Sequence, residues 1–371
     1  MLGAIWWYMN ILLTSFLAML HILTAVVSLQ ISDSTPGDTQ NHPYAICEEA
    51  SPEQRPREVR QSQGGEHRSE VILLATIQQI GAQPLFVDQQ DDRSIAGLHF
   101  VERIDYERLR NRLPLLRNIR LLDLNSLDLT DNDLEQLRIL NAFPKVESLN
   151  LANNPRIGNA GLTHLSHFRQ LSTLNLSLTA TDSNGAVHLK TLPRLRRIDL
   201  SATPFRRSGY SGLEQCTSLR ELIALCNSIT DEDLRQIAEI RQLRVLECLA
   251  SPEVSDAGLQ QVAQLVHLEI LTVLGTKPLV TDLGVGYLAS LSNLRELQLP
   301  GTKVTDDAIP SILRLTKLER LDLSGSCIDD NGVASLTSLR HLKFLDMQHT
   351  NVTPMARKHL EDCKELGDLR L

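Results

Sequence analysis

The pattern of apolar and polar positions repeats along most of the chain. An apolar triplet with the spacing L-x-x-L-x-L returns at steps of 24 to 27 residues. The copies begin at Ile119, Val146, Leu171, Leu195, Leu219, Leu243, Leu268, Leu294, Leu318 and Leu342, and a half-copy follows at Leu366, Leu369 and Leu371. Because side chains alternate between the two faces of a strand, each triplet predicts a short strand with its leucines facing a core.

The residues after each triplet predict a turn and then a short helix. Three positions beyond it, nine of ten residues are small and able to hydrogen bond: Asn154, Thr179, Thr203, Asn227, Ser251, Thr276, Thr302, Ser326 and Thr350, with Leu127 as the exception. Their oxygens are expected to accept backbone N–H groups in the bend. Pairs such as Thr281-Asp282 and Thr305-Asp306 follow, and they are typical of helix N-termini. One repeat is therefore strand, turn, short helix and return.

The repeat resembles that of the leucine-rich repeat family. The best copy reads L-x-x-L-x-L-x-x-T and then V-T-D-x-x-I-x-x-I, on Leu294, Leu297, Leu299, Thr302, Val304, Thr305, Asp306, Ile309 and Ile312. Its Thr-Asp-rich form is similar to the short repeats of bacterial members and to the cysteine-containing subclass found in F-box adaptors. The resemblance implies an α/β fold, a right-handed solenoid with a parallel sheet on the concave face and short helices on the convex face.

Composition divides the chain into four predicted parts. Residues 1–31 carry no charge and form a hydrophobic anchor or signal segment, and residues 32–69 are a flexible polar linker. Residues 70–118 are the N-terminal cap with a degenerate repeat, including a helix that stops at Gly81. Residues 119–371 form the solenoid, with ten repeats and a terminal half-repeat.

The first segment predicts contact with a membrane. Residues 4–31 are long enough to cross a bilayer, and Trp6 and Trp7 suit its interface. A cleaved signal peptide, a buried helix and a later start at Met9 or Met19 stay open. The terminal amine favours a cytoplasmic N-terminus. We therefore expect membrane-anchored, extracytoplasmic repeats, or a secreted protein if the segment is cleaved.

Charge and chemistry narrow the function classes. The net charge of −8 gives no electrostatic reason to expect nucleic acid. The six cysteines form no C-x-x-C pair; Cys216, Cys248 and Cys363 fall on core positions, and a Cys226–Cys248 disulfide is an alternative in an exported protein. His164 and His167 are expected to face solvent on a convex helix, because no third metal ligand lies nearby. No enzyme, cofactor or metal site is predicted.

The outward strand positions are the most informative about function. The position between the last two leucines carries five acids and no base: Asp123, Asp199, Glu247, Asp322 and Asp346. In the middle of the array the outward residues turn apolar, whereas flanking repeats place Ser, Thr and Arg there. The predicted partner-binding residues are Ile223, Leu225, Val245, Glu247, Leu249, Ile270, Thr272 and Leu274. The alternative is that these side chains cover one another where the solenoid curves.

The predicted function is non-catalytic protein recognition by a membrane-tethered or exported scaffold. An F-box-like adaptor in ubiquitin transfer is an alternative, although it needs three helices before the repeats and residues 71–118 offer at most two. A self-associating structural module is a third possibility.

Overall fold

The computed structural model describes residues 66–89, 92–205, 209–249, 251–273, 279–360, 363 and 365–371. All of them belong to the unit Gln63–Leu371. The predicted anchor, residues 1–31, and the predicted linker as far as residue 65 lie outside this range. Within it, no helix combines the length and the apolar character that crossing a bilayer requires.

The described chain begins with a helix and a β-hairpin. Helix α1 (Glu66–Gln79) starts inside the segment predicted as linker and ends before Gly81, whose φ of +75° suits glycine. Strands β1 (Ala82–Gln89) and β2 (Asp92–Phe100) pair antiparallel, and β2 then pairs in parallel with the first repeat strand. Helix α2 (Tyr106–Arg112) follows, capped by Asp105. The hairpin thus gives the repeat sheet its first strand.

Eleven further strands continue the sheet in chain order, each parallel to the one before. They coincide with the ten triplets and the half-copy: β3 (Leu121–Asp123), β4 (Ser148–Asn150), β5 (Thr173–Asn175), β6 (Arg197–Asp199), β7 (Glu221–Ile223), β8 (Val245–Cys248), β9 (Ile270–Val273), β10 (Glu296–Gln298), β11 (Arg320–Asp322), β12 (Phe344–Asp346) and β13 (Asp368–Arg370). The register pairs equivalent repeat positions, such as Leu297 with Leu271 and Leu321. The predicted α/β solenoid is confirmed.

Short helices return the chain from one strand to the next. They are α3 (Asp131–Ile139), α4 (Asn159–Leu162), α5 (Ala186–Leu189), α6 (Asp231–Ile237), α7 (Asp256–Val262), α8 (Asp282–Leu288), α9 (Ile309–Ile312), α10 (Asp330–Ser335) and α11 (Ala356–Leu360). In the described part of the β6–β7 connection, a 3₁₀ turn at Leu213–Gln215 takes the place of an α-helix. There Phe205 and Tyr210 fill the core, with ring centroids 5.9 Å apart.

The leucines of the triplets form one continuous core. Leu222, Leu246, Leu271 and Leu297 are fully buried in successive strands. Each buried side chain contributes roughly 1.5–3 kcal/mol to folding. Since a single repeat leaves both of its flat faces open, this stabilisation exists only when repeats stack.

The predicted row of polar residues in the turns after the strands is present, but asparagine and threonine form different hydrogen bonds in it. Asn154 accepts the N–H groups of Leu127 (3.2 Å) and Leu129 (2.9 Å) and also donates to backbone carbonyls. The threonines instead donate: the hydroxyls of Thr179 and Thr302 bind the carbonyl oxygens three residues earlier, at 2.6 and 3.0 Å. The expectation that these side chains accept backbone N–H groups is therefore wrong for Thr179 and Thr302, whereas the Thr350 hydroxyl both donates to a carbonyl oxygen and accepts the Val352 N–H at 3.2 Å.

A second row of hydrogen bonds joins the helix starts of neighbouring repeats. Asp256, the first residue of α7, accepts hydrogen bonds from the Thr281 N–H (2.8 Å), the Thr281 hydroxyl (2.7 Å) and the Gly284 N–H (3.0 Å). The same Asp-to-Ser/Thr bonds recur from Asp231 to Ser255 and from Asp282 to Thr305. The acid that the sequence assigned to the helix dipole therefore also ties one repeat to the next.

Candidate functional site

The predicted site residues meet in the middle of the concave face. Strand register places Val245 beside Ile270, and Glu247 between Ile223 and Thr272. Leu225 and Leu249 follow β7 and β8 on the same side of the sheet. We call this group the central patch: Ile223, Leu225, Val245, Glu247, Leu249, Ile270 and Thr272. The eighth predicted residue, Leu274, lies outside the described residues.

The central patch is less open than the sequence suggested. Ile223 and Thr272 are buried, with 4% and 6% of their surfaces exposed, and the other members are half-buried. Parallel strands lie only about 4.8 Å apart, so branched side chains on adjacent strands cover one another. Polar residues of the same face, such as Thr173 and Ser177, are half-buried as well. The described patch residues therefore form a shallow apolar surface rather than a fully exposed one.

Ion pairs border the patch on both sides. Across six strands, the first outward position reads Arg197, Glu221, Val245, Ile270, Glu296 and Arg320. Arg197 lies 2.5 Å from Glu221, and Arg320 lies 3.7 Å from Glu296. The two apolar residues therefore stand between two glutamates, each paired with an arginine on the side away from the patch.

The column of five acids divides into two kinds. Asp199, Asp322 and Asp346 each accept the backbone N–H two residues later, at 2.9 Å, and Asp123 does the same at 3.2 Å. These carboxylates stabilise the turn that ends each strand. The Glu247 carboxylate has no hydrogen bond or ion pair within the part of the chain that the structure describes. It is the one acid of this column whose carboxylate is not engaged there.

The surroundings of Glu247 disfavour its charge. Burial among apolar neighbours is the largest cause that raises the pKa of this carboxyl. The Arg197 guanidinium lowers the pKa, and three carboxylates raise it, those of Glu296, Asp199 and Glu221. Among the described groups that act on this carboxyl, anions thus outweigh the Arg197 cation.

Sequence reasoning missed a cluster further along the same face. The Phe344 ring lies between two guanidinium groups, with Arg320 at 4.3 Å and Arg370 at 5.0 Å from its centroid. Arg370 also lies 3.7 Å from Asp346. An aromatic residue at an outward position was the available signal, with Arg320 at the same position on β11 and Arg370 two residues further along on β13.

The thiols and histidines do not assemble a reactive site. Cys226 and Cys248 are both free thiols, so the alternative disulfide between them is not formed. Burial raises the pKa of Cys216 to about 11 and that of Cys248 to about 12, as for thiols packed in a core. His167 is half-buried rather than solvent-facing, and burial lowers its pKa. No group of three or more His, Cys, Asp or Glu among the described residues could hold a metal ion.

Comparison with known proteins agrees with this architecture. A family model described as a leucine-rich repeat matches residues 144–166 and 314–336. An internalin of Listeria monocytogenes is similar in structure, with a TM-score of 0.50 and 15% identity over 81% of this chain and 93% of the other. Internalin C2 of the same organism has a TM-score of 0.38 and 18% identity over 71% of this chain and 92% of the other. A leucine-rich repeat protein of Leptospira interrogans has a TM-score of 0.44 and 16% identity over 70% and 73%.

The first of these likenesses bears on the fold alone, since its identity is 15%, and the two with TM-scores below 0.5 carry no argument. No curated protein sequence matches the chain significantly. The repeat register, the parallel sheet and the matched family model together define the class. The chain has the fold of leucine-rich repeat proteins, and the family model matches two stretches of its repeats.

Proposed function

We propose that this protein is a non-catalytic scaffold that recognises a protein partner through the concave face of its central repeats. The observation that carries the proposal is the interruption of the ion-paired column by Val245 and Ile270. Leucine-rich repeat proteins share a scaffold and differ in the residues that the repeat leaves free. In this chain those free residues are mainly apolar on three adjacent strands, β7 to β9, which form the central patch.

The size and composition of the patch suit a binding surface. A non-obligate interface has an apolar centre and a polar rim, and its charged groups at the rim contribute orientation more than affinity. The pairs Arg197–Glu221 and Arg320–Glu296 stand where such a rim would stand. Because the patch residues are half-buried on a rigid sheet, little side-chain freedom is lost when a partner covers them.

Two observations favour this function over the adaptor alternative. Between Glu66 and Asn118 the described chain forms two α-helices and a hairpin, whereas an F-box-like domain needs three helices. The hairpin continues directly into the repeat sheet through β2 and β3, so these residues serve as a cap. Self-association is tested by sedimentation at several concentrations.

We also propose that residues 1–31 bring the repeats to a membrane or out of the cytoplasm. The support is the sequence itself, which holds no charged residue in this stretch. Fractionation after a carbonate wash tests the proposal. A protein that stays in the membrane pellet is anchored, a protein in the medium is secreted, and a protein found only in the cytosol would contradict both.

The recognition proposal is tested by placing a charge in the patch. Leu249→Asp and Ile270→Asp are each expected to weaken partner capture at least about tenfold, because an unpaired carboxylate would be buried in the contact. Capture from the native membrane fraction, quantified by mass spectrometry, measures the effect.

The controls carry the same change at equivalent repeat positions outside the patch. Thr173→Asp matches Ile270 and Ser324→Asp matches Leu249, and both should keep the partner. Melting curves of all four variants separate binding from folding. Equal loss of capture in patch and control variants would contradict the proposal.

A further inference from the structure

We propose that Glu247 is the binding subsite for one cationic side chain, an arginine or a lysine, presented by the protein partner. The inference rests on the proposed function and identifies the chemistry of the group that the central patch receives. It follows from three properties of Glu247: its place among aliphatic side chains, its unengaged carboxylate, and the sign of the charges around it.

The position of Glu247 combines an apolar wall with a charged centre. Its strand neighbours in register are Ile223 and Thr272, and Val245 and Leu249 lie two residues before and after it on the same face. A ligand group that satisfies both features needs an apolar stem and a positive end. Arginine and lysine have this construction, since their methylene chains pack on apolar surface while the head keeps its charge.

The other acids of the concave face lack this combination. Asp199 and Asp322 hold the backbone N–H groups of Ser201 and Ser324, and Glu296 is paired with Arg320. A cation approaching those groups would compete with an existing partner. At Glu247 it would displace no partner among the described residues, and it would remove the cost of keeping a half-buried carboxylate unpaired.

The charges around Glu247 select a cation. The Arg197 guanidinium acts on the Glu247 carboxyl and is itself ion-paired with Glu221. Against it stand the carboxylates of Glu296, Asp199 and Glu221. An acidic or phosphorylated group of the partner would meet three like charges here, whereas a guanidinium or ammonium would neutralise part of this excess.

The dimensions of the patch suit a single side chain. Strands β7 to β9 span about 10 Å across the sheet, and Val245 to Leu249 span about 13 Å along it. This area holds one long side chain and the residues next to it. The partner is therefore expected to reach the sheet with a protruding segment whose cationic residue is flanked by apolar ones.

Small probes of the arginine side chain test the subsite directly. We would titrate the full chain, with isotopically labelled Ile, Leu and Val methyl groups, with n-butylguanidinium and with its neutral isostere n-butylurea. The expected result is that n-butylguanidinium shifts the methyl signals of Val245 and Ile270, whereas n-butylurea shifts them at least about tenfold less at equal concentration. In Glu247→Gln the two probes should become equivalent, because the substitution keeps the shape and removes the charge.

A matched variant separates a specific subsite from a general negative field. Asp322→Asn removes one charge from the same column of the concave face, and the guanidinium-induced shifts should persist in it. Equal shifts by both probes in the unchanged protein, shifts unaltered by Glu247→Gln, or no shifts up to the solubility limit would each overturn the proposal.

The result is distinguishable from failure of the proposed function. If the probes reject the cationic subsite while Leu249→Asp still abolishes partner capture, recognition through the patch stands and only its chemistry is different. If Leu249→Asp and Ser324→Asp behave alike in capture, the proposed function itself fails, whatever the probes show.

Discussion

Two carboxylates face each other at the start of α10. Asp306 accepts the Asp329 N–H at 3.1 Å. In other repeats the residue equivalent to Asp329 is a threonine, such as Thr281, Thr305 or Thr353, and its N–H donates to the aspartate of the preceding repeat. Burial and the nearby charge of Asp329 raise the pKa of Asp306. A residue that departs from its repeat thus replaces a hydroxyl–carboxylate bond with two like charges.

Replacing Asp329 by threonine should therefore stabilise the protein at neutral pH. Since the pKa of Asp306 is raised in the folded state, its favourable contribution is full in acid and is lost as the pH rises through that pKa. We expect Asp329→Thr to raise the melting temperature at about pH 7 and to raise it less at about pH 3, where protonation of Asp306 removes one of the two charges. Thermal melts at both pH values check this. An equal gain at both pH values would show that charge repulsion is not the cause.

At the residue scale, the sequence shows how many acids the outward column contains, but it does not show what each carboxylate contacts. Asp199 and Glu247 occupy the same repeat position, yet Asp199 bonds to the backbone two residues on and Glu247 does not. Whether a carboxylate reaches that N–H depends on side-chain length and on the turn conformation. A pattern of apolar and polar letters contains neither, so the distinct role of Glu247 appeared only with the structure.

At the scale of elements, the convex helices stack closely because glycine stands where one helix meets the next. Gly284 in α8 lies against the carboxylate and side chain of α7 residues Asp256 and Leu259, and its N–H donates to Asp256. A Cβ atom there would fall inside contact distance of Asp256 Oδ1. Gly258 and Gly332 stand at the same repeat position with the same close approach.

Two glycines of one helix provide a matched test of that packing. Gly284→Ala should destabilise by roughly 1–3 kcal/mol, because the added methyl group displaces the carboxylate that joins the repeats. Gly286→Ala, two residues later and exposed, meets nothing closer than Ser311 Oγ at 4.0 Å and should be neutral or stabilising by up to about 1 kcal/mol. Urea melts of both variants measure the difference. The same effect from both alanines would mean that helix propensity, not inter-repeat packing, decides.

The sequence predicts the strands of the repeats, but it does not predict the N-terminal hairpin. The triplets predicted β3 to β13 because inward leucines must alternate with outward residues, and a repeated register admits little freedom. Residues 82–100 carry no such repeat, and the sequence predicts for them only a place in the N-terminal cap with its degenerate repeat. The pairing of β2 with both β1 and β3 depends on contacts between distant segments, which local periodicity does not contain.

At the scale of the whole molecule, the repeats build a rigid sheet and the exceptions to the repeat define its surface. Polar side chains at the outward positions are engaged within the sheet: aspartates accept backbone N–H groups of the turns, and arginines form ion pairs with glutamates. The central patch is the stretch of the described concave face where outward residues of three adjacent strands are mainly apolar and Glu247 is unengaged. Recognition through this stretch is the central claim about function.

Position-specific crosslinking tests that claim most directly. A photoreactive benzoylphenylalanine at position 249 is compared with the same residue at Ser177 and at Ser324, which occupy the equivalent repeat position on either side of the patch. After irradiation in cells that make the protein, the account predicts a partner adduct from position 249 and little or none from 177 and 324. Equal adducts from all three positions, or an adduct from the flanking positions alone, would contradict it.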